Sequence, residues 1–165
     1  MVYAGIGSRN TPYEIIMHME SVAMKLADVG YTLRSGGANG ADEAFERGCR
    51  KANGKKEIFL PIRNYNGNPS DLYQPTDKAM EIAERFHPAW HKCTKIARIF
   101  LARNSHIVLG ENLDQPVDFI VCWTEETGGT YQSLRIAKNY DIVVYNLRYD
   151  FDDFSKFLSD IRKGQ

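Results

Sequence analysis

Disulfides, membrane spans and a bias of charge are all missing from this chain of 165 residues, and each gap removes a class of function. Cysteine is scarce. Cys49, Cys93 and Cys122 are odd in number, far apart and form no C-x-x-C pair, which argues against a disulfide framework and for a reducing, cytoplasmic setting. No apolar run approaches the roughly 20 residues of a spanning helix. The N-terminus runs straight into a strand pattern with no basic n-region or cleavage site, so neither a membrane partner nor export is expected. Lys plus Arg equals Asp plus Glu at 21 each, leaving a formal net charge of zero, so strong binding of long nucleic acid needs a local basic patch. Repeats, low-complexity tracts and linkers are lacking too. Residues 1–165 therefore read as a single domain, 43% hydrophobic and 25% charged, long enough to bury one substantial core.

What is there is an alternation of strands and helices. Val2–Ile6 reads as a strand entering the polar turn Gly7-Ser-Arg-Asn10. Thr11-Pro12 opens a helix whose apolar face is Ile15, Ile16, Met19, Val22, Ala23 and Leu26, and Gly30 ends it. Tyr31–Arg34 is a second strand, Ala41–Lys51 a helix stopped by Asn53-Gly54, and Glu57–Ile62 a third strand. Arg63–Thr76 is rich in Asn, Pro and Tyr and reads as an ordered loop. Helices are expected over Asp77–Phe86 and Ala89–Arg103, split by His87-Pro88, before alternation resumes. Val117–Trp123 is then a strand, Thr130–Lys138 a helix, Ile142–Tyr145 a strand and Phe151–Ile161 a final amphipathic helix. This rhythm predicts an α/β fold of three layers, an open parallel sheet with helices on both faces.

Ligands of such sheets bind beyond the carboxyl ends of the strands. Three glycine-containing turns leave strands at that edge: Gly5-Ile-Gly-Ser-Arg9, Ser35-Gly-Gly-Ala-Asn-Gly40 and Thr124-Glu-Glu-Thr-Gly-Gly-Thr130. Each alone is an ordinary tight connection, whereas their convergence points to a phosphate-bearing ligand. Gly7, Gly36, Gly37, Ala38 and Gly40 allow close backbone approach, Ser8 and Ser35 offer hydroxyls, and Arg9 offers a bidentate fork. Gly128, Gly129 and Thr130 open a helix whose N–H groups form a second anion or ribose contact. Asp42 is open to three roles: ribose ligand, catalytic carboxylate, or partner of a helix dipole. Trp123 is the leading base-stacking candidate among Tyr65, Tyr73, Phe86, Trp90 and Trp123. His87, His91 and Cys93 suggest zinc by spacing, but Pro88 interrupts them and no fourth ligand is near. Neither a metal nor a cofactor is expected, and Cys122 reads as a core thiol.

The order of these motifs resembles a known family. Ser35-Gly-Gly-Ala-Asn-Gly-Ala-Asp42 resembles the S-G-G-A-x-G-[IA]-D loop of the Rossmann-like domain of DNA-processing protein A. Phe100-Leu-Ala-Arg-Asn104 with Ile107-Val-Leu-Gly110 resembles that family's F-x-x-R-N-x-x-I helix. Thr127–Thr130, Leu134–Ala137 and Ile142–Tyr145 resemble its R-S-G-[ST]…A…V-F-A-V segment. The likeness runs from residue 2 to 147 and implies the wider SLOG superfamily, which also holds LOG-type phosphoribohydrolases and nucleotide-signal sensors. It adds Arg103 and Asn104 as phosphate contacts and makes a homo-oligomer an expected partner state. The chain has no room for the flanking helical and winged-helix domains often found with DNA-processing protein A. The LOG signature P-G-G-x-G-T-x-x-E is half present, because Tyr131-Gln-Ser133 replaces its glutamate segment.

Three readings follow. The first is binding of a nucleotide or nucleotide-derived small molecule in a cleft made by the three turns. The second is N-glycosidic hydrolysis, in which a carboxylate stabilises an oxocarbenium-like state. Asp42, Glu43, Glu125 and Glu126 are the available acids, with Asp42 and Glu126 the catalytic candidates. The third is binding of single-stranded DNA through Arg9, Arg34, Arg63, Arg98, Arg103 and stacked aromatics.

Overall fold

In a computed structural model describing residues 1–164, five short strands make one parallel sheet in the order β3-β2-β1-β4-β5. They are β1 (Val2–Gly5), β2 (Thr32–Ser35), β3 (Lys56–Ile58), β4 (Phe119–Cys122) and β5 (Val143–Asn146). The order reverses at β1, so the crevice between β1 and β4 at their carboxyl ends is the switch point where such folds take ligands.

Alternation along the central strands sends side chains to two cores. Tyr3, Phe119 and Val121 meet Met19, Val22, Leu26, Phe45 and Phe154 on one face. Ala4, Ile120 and Cys122 meet Ala79, Ile82, Val108 and Ile136 on the other. The first face is covered by α1 (Tyr13–Asp28), α2 (Ala41–Lys51) and α6 (Phe151–Lys163). The second is covered by α3 (Asp77–Phe86), α4 (Lys95–Leu109) and α5 (Gly128–Asn139). This is the three-layer, Rossmann-like α/β arrangement read from the alternation. Burial pushes the Cys122 thiol up to about 12, as befits a core residue.

Two elements differ from expectation. The third strand stops at Ile58 because β2 offers no partner beyond Ser35, apart from the bond from Phe59 N to Ser35 O. Leu60 instead pairs with the returning loop, donating to Leu72 O at 2.8 Å and accepting from Gln74 N at 3.1 Å. The helix expected over Ala89–Arg103 is a 3₁₀ turn at Trp90–Lys92 followed by α4. Thr94 caps α4, its Oγ1 accepting from Ala97 N at 3.1 Å, and Gly110 ends it at φ +89°. α4 therefore runs on through Arg103 and Asn104, carrying both behind the crevice. No helix among the described residues is long and apolar enough to cross a membrane.

Candidate functional site

A cleft of about 360 Å³ opens at the switch point. Gly7, Ser8, Arg9 and Asn10 after β1 form one lip, and Thr127, Gly128, Gly129 and Thr130 at the start of α5 form the other. Ala38 from the turn before α2, Asp42 from the start of α2, Tyr65 from the loop after β3, Phe100, Leu101, Arg103, Asn104 and Ile107 from α4, Ser133 from α5 and Ile6 complete the lining. Arg9 is exposed, with its fork available to a ligand. Thr127, the residue before α5, makes no side-chain capping bond, so the first N–H groups of the helix are left for an anion.

Arg103 is built into the wall. It is 6% exposed, its Nη1 donates to Gly36 O and Phe59 O, and its Nε donates to Asn104 Oδ1 at 2.9 Å. Asn104 passes the connection on, Nδ2 donating to Gly129 O at 2.8 Å. One short network therefore joins the turn after β2, the turn after β3 and the N-terminus of α5. Burial lowers the Arg103 guanidinium from its ordinary value against the pull of the Asp42 charge. Burial likewise raises the Asp42 carboxyl to about 6, against the opposing effects of Arg103 and the N–H groups of Ala38, Gly7 and Gly36. Asp42 Oδ2 accepts from Ala38 N at 3.3 Å. Asp42 is the one acid lining the cleft among the described residues.

The residues singled out from the sequence divide accordingly. Gly7, Ser8, Arg9, Ala38, Asp42, Arg103, Asn104, Gly128, Gly129 and Thr130 come together around the cleft. Ser35, Gly36, Gly37, Gly40, Trp123 and Glu126 do not line it. Ser35 is fully buried and donates through Oγ to Gly5 O at 2.6 Å, tying β2 to β1. Gly36 is pressed between Asp42 and Arg103, and Gly40, at φ +84°, packs on the backbone of Arg9. Gly37 faces the core, since a Cβ there would stand 2.6 Å from Leu60 Cδ2. Trp123 is 8% exposed within the core and is covered by the Arg148 guanidinium at 5.5 Å. Glu126 is exposed at φ +64°, and Glu125 pairs with Arg148 instead of facing the cleft. Arg34 is 2% exposed, bonded to Glu57 at 2.9 Å and Gln115 O at 2.6 Å, so it meets no strand of nucleic acid.

The aromatic wall of the cleft is Tyr65 with Phe100, rings edge to face at 5.3 Å. Phe100 and Leu101 lie in the F-x-x-R-N motif, Asn10 and Thr127 within the glycine-containing turns and Ser133 in the segment that replaces the LOG glutamate, but none of them stood out as a site residue. Arg63, Tyr73, Trp90 and Arg98 line a separate, wider groove between the loop after β3, α3 and α4. There Arg63 lies over Tyr73 at 5.9 Å and Arg98 over Trp90 at 5.2 Å. His87 Nδ1 accepts from Ala89 N at 3.1 Å, and Cys93 Sγ lies 3.8 Å from the same nitrogen. Among the described residues no three His, Cys, Asp or Glu side chains gather as a metal site would require.

The sequence profile described as DNA recombination-mediator protein A matches residues 2–157. No curated protein matches the chain. Among solved structures, DNA processing protein A from Helicobacter pylori, described in terms of its single-stranded DNA binding mode, is similar at 22% identity and TM-score 0.60. The alignment covers 87% of this chain and 63% of that one. DNA processing protein A from Streptococcus pneumoniae is similar at 17% identity and TM-score 0.59, covering 88% and 49%. The molybdenum cofactor carrier protein of Chlamydomonas reinhardtii is similar at 14% identity and TM-score 0.57, covering 87% and 74%. At these identities the likeness establishes a common fold. The chain spans less than two thirds of either DNA processing protein.

Proposed function

The chain belongs to the DNA recombination-mediator protein A family, and from that premise we propose that it binds single-stranded DNA, seating one nucleotide in the cleft between the β1 and β4 turns. One observation carries the reading: the uncapped N-terminus of α5, the exposed Arg9 and the Tyr65–Phe100 pair open into the same cleft. A phosphodiester meets the helix N–H groups and the Arg9 fork. Its base meets an aromatic edge and the apolar wall of Leu101 and Ile107. Arg103 and Asn104 act on the ligand indirectly, by holding the walls in register.

Binding of a free nucleotide is the second reading. It is favoured by the zero net charge of the chain and by a cleft at the lower end of the size range for small-molecule sites. Hydrolysis is a further form of that reading, with Asp42, its carboxyl raised to about 6, as the acid facing the ligand.

Fluorescence anisotropy with oligothymidylates of increasing length separates the two. Strand binding predicts affinity that rises with length and a log–log salt slope of about −0.7 for each phosphate engaged. Thermal stabilisation by nucleoside monophosphates without strand binding favours the second reading. Release of free base from those monophosphates makes the protein an enzyme.

A further inference from the structure

Among the described residues, Ser133 is the one lining the cleft whose side chain has a buried hydrogen-bonding group with no protein partner. It lies on α5, is 1% exposed, lines the cleft, and its Oγ has no hydrogen-bond partner. A helical serine ordinarily bonds back to the carbonyl four residues earlier, which here is Gly129 O. That carbonyl already accepts Asn104 Nδ2 at 2.8 Å and faces the Ser133 N–H of the helix, so both of its lone pairs are engaged. The carbonyl four residues back is thus taken, and the Ser133 hydroxyl, on a residue that lines the cleft, makes no bond within the protein. A buried hydroxyl without a protein partner is satisfied by water or by a polar group of a ligand.

The surroundings narrow what that partner is. Ser133 stands five residues into α5, about 7.5 Å along the helix from Gly128, which is too deep for a phosphate held at the helix terminus. Ile6, Leu101 and Ile107 give the cleft an apolar part to its lining. A flat, largely apolar body with a polar rim matches both features, as a nucleobase does and a sugar or phosphate does not. We propose that Ser133 Oγ hydrogen-bonds the polar edge of the seated base, so that the site discriminates among bases. Ser133 is then a specificity-determining residue, while Arg9 and the α5 terminus bind every strand alike. This rests on the strand-binding reading above.

The test compares the parent protein and Ser133→Ala on decamers of dA, dC and dT and on an abasic decamer, by anisotropy at fixed salt. The parent should prefer one base over the others and over the abasic strand. Ser133→Ala should weaken that preferred strand about fivefold, the value of one neutral hydrogen bond, and leave the abasic strand unchanged. Equal affinity of the parent for all three bases overturns the inference and leaves strand binding standing. So does an Ala variant with the spread of affinities intact, including one whose unfolding temperature alone shifts, as loss of a buried water would cause. Equal weakening of the abasic strand overturns it too, because the hydroxyl would then serve the backbone. Absence of binding to every strand overturns the strand-binding reading and this inference together.

Discussion

Asp42 Oδ2 and the Arg103 guanidinium flank Gly36, where a Cβ would stand 2.8 Å from the carboxylate oxygen and 2.9 Å from Arg103 Cζ. A glycine at this point lets an acid from α2 and a base from α4 approach a single turn, both nearly sealed from water. The pair therefore belongs to the cleft's wall as much as to its chemistry, and it divides the two arginines expected to clamp phosphate.

Arg9→Ala should weaken strand binding about tenfold, the scale of one charge-assisted contact, and leave the unfolding midpoint unchanged. Arg103→Ala should behave oppositely. It strands the carbonyls of Gly36 and Phe59 and removes the positive charge nearest Asp42, costing on the order of 3 kcal/mol. Urea unfolding beside anisotropy reads both effects, and equal stability of the two variants would refute the division.

The Asp42 carboxyl, raised by burial to about 6 from an ordinary 3.8, binds its proton more tightly in the folded state. Its contribution is complete below pH 4 and is lost as pH rises through 6. Asp42→Asn should therefore gain on the parent between pH 4 and 7, by on the order of 2 to 3 kcal/mol. Comparing the two cancels the opposite trend of His106, whose burial lowers its imidazole in both proteins. Because a phosphodiester does not titrate here, the parent should also bind strands more tightly at pH 5 than at pH 7.5, and the Asn variant should not. Parallel pH profiles of stability for the two proteins would contradict the assignment.

Tyr65→Ala and Phe100→Ala should each reduce affinity for a base-bearing strand by about 1 to 3 kcal/mol, with little change for an abasic strand. Trp123→Ala should instead reduce stability by about 3 to 5 kcal/mol, as expected of a large side chain removed from a core. Affinity measured on the folded fraction should stay near the parent value for Trp123→Ala.

Gly37→Val should destabilise by about 3 kcal/mol, combining a branched residue at φ +68° with a Cβ 2.6 Å from Leu60 Cδ2. Ligand binding should fail only to the extent that the fold does. Gly128→Ala, at φ +74° with nothing within 4 Å of its Cβ, should cost about 1 kcal/mol. Differential scanning calorimetry ranks the two, and a stable Gly37→Val would show that the turn faces ligand after all.

Much of this was written in the chain. Ala41–Lys51 and Asp77–Phe86 are helical over the spans that periodicity and caps predict, and strand–helix alternation implied a parallel sheet. Turns rich in glycine beside polar residues marked the edge where the cleft opens, because local backbone chemistry is a property of neighbouring residues. Within each turn that local signal ends. Sequence identifies a serine or tryptophan beside a glycine but not the side of the turn on which packing leaves it.

That choice belonged to the tertiary structure. Ser35 turned inward because Gly5 O on the adjacent strand needed a donor, and Trp123 sank because β4 lies between two helical layers. Tyr65, distant in sequence from every glycine motif, reached the cleft on a 3₁₀ turn that the left-handed Asn64 initiates. The carbonyl of Gly129, one turn before Ser133, is taken by Asn104 from another helix. Composition, periodicity and turn chemistry determined the architecture and the edge that carries the candidate cleft. Contacts between residues remote in the chain decided which of those residues line the cleft and which lie behind it.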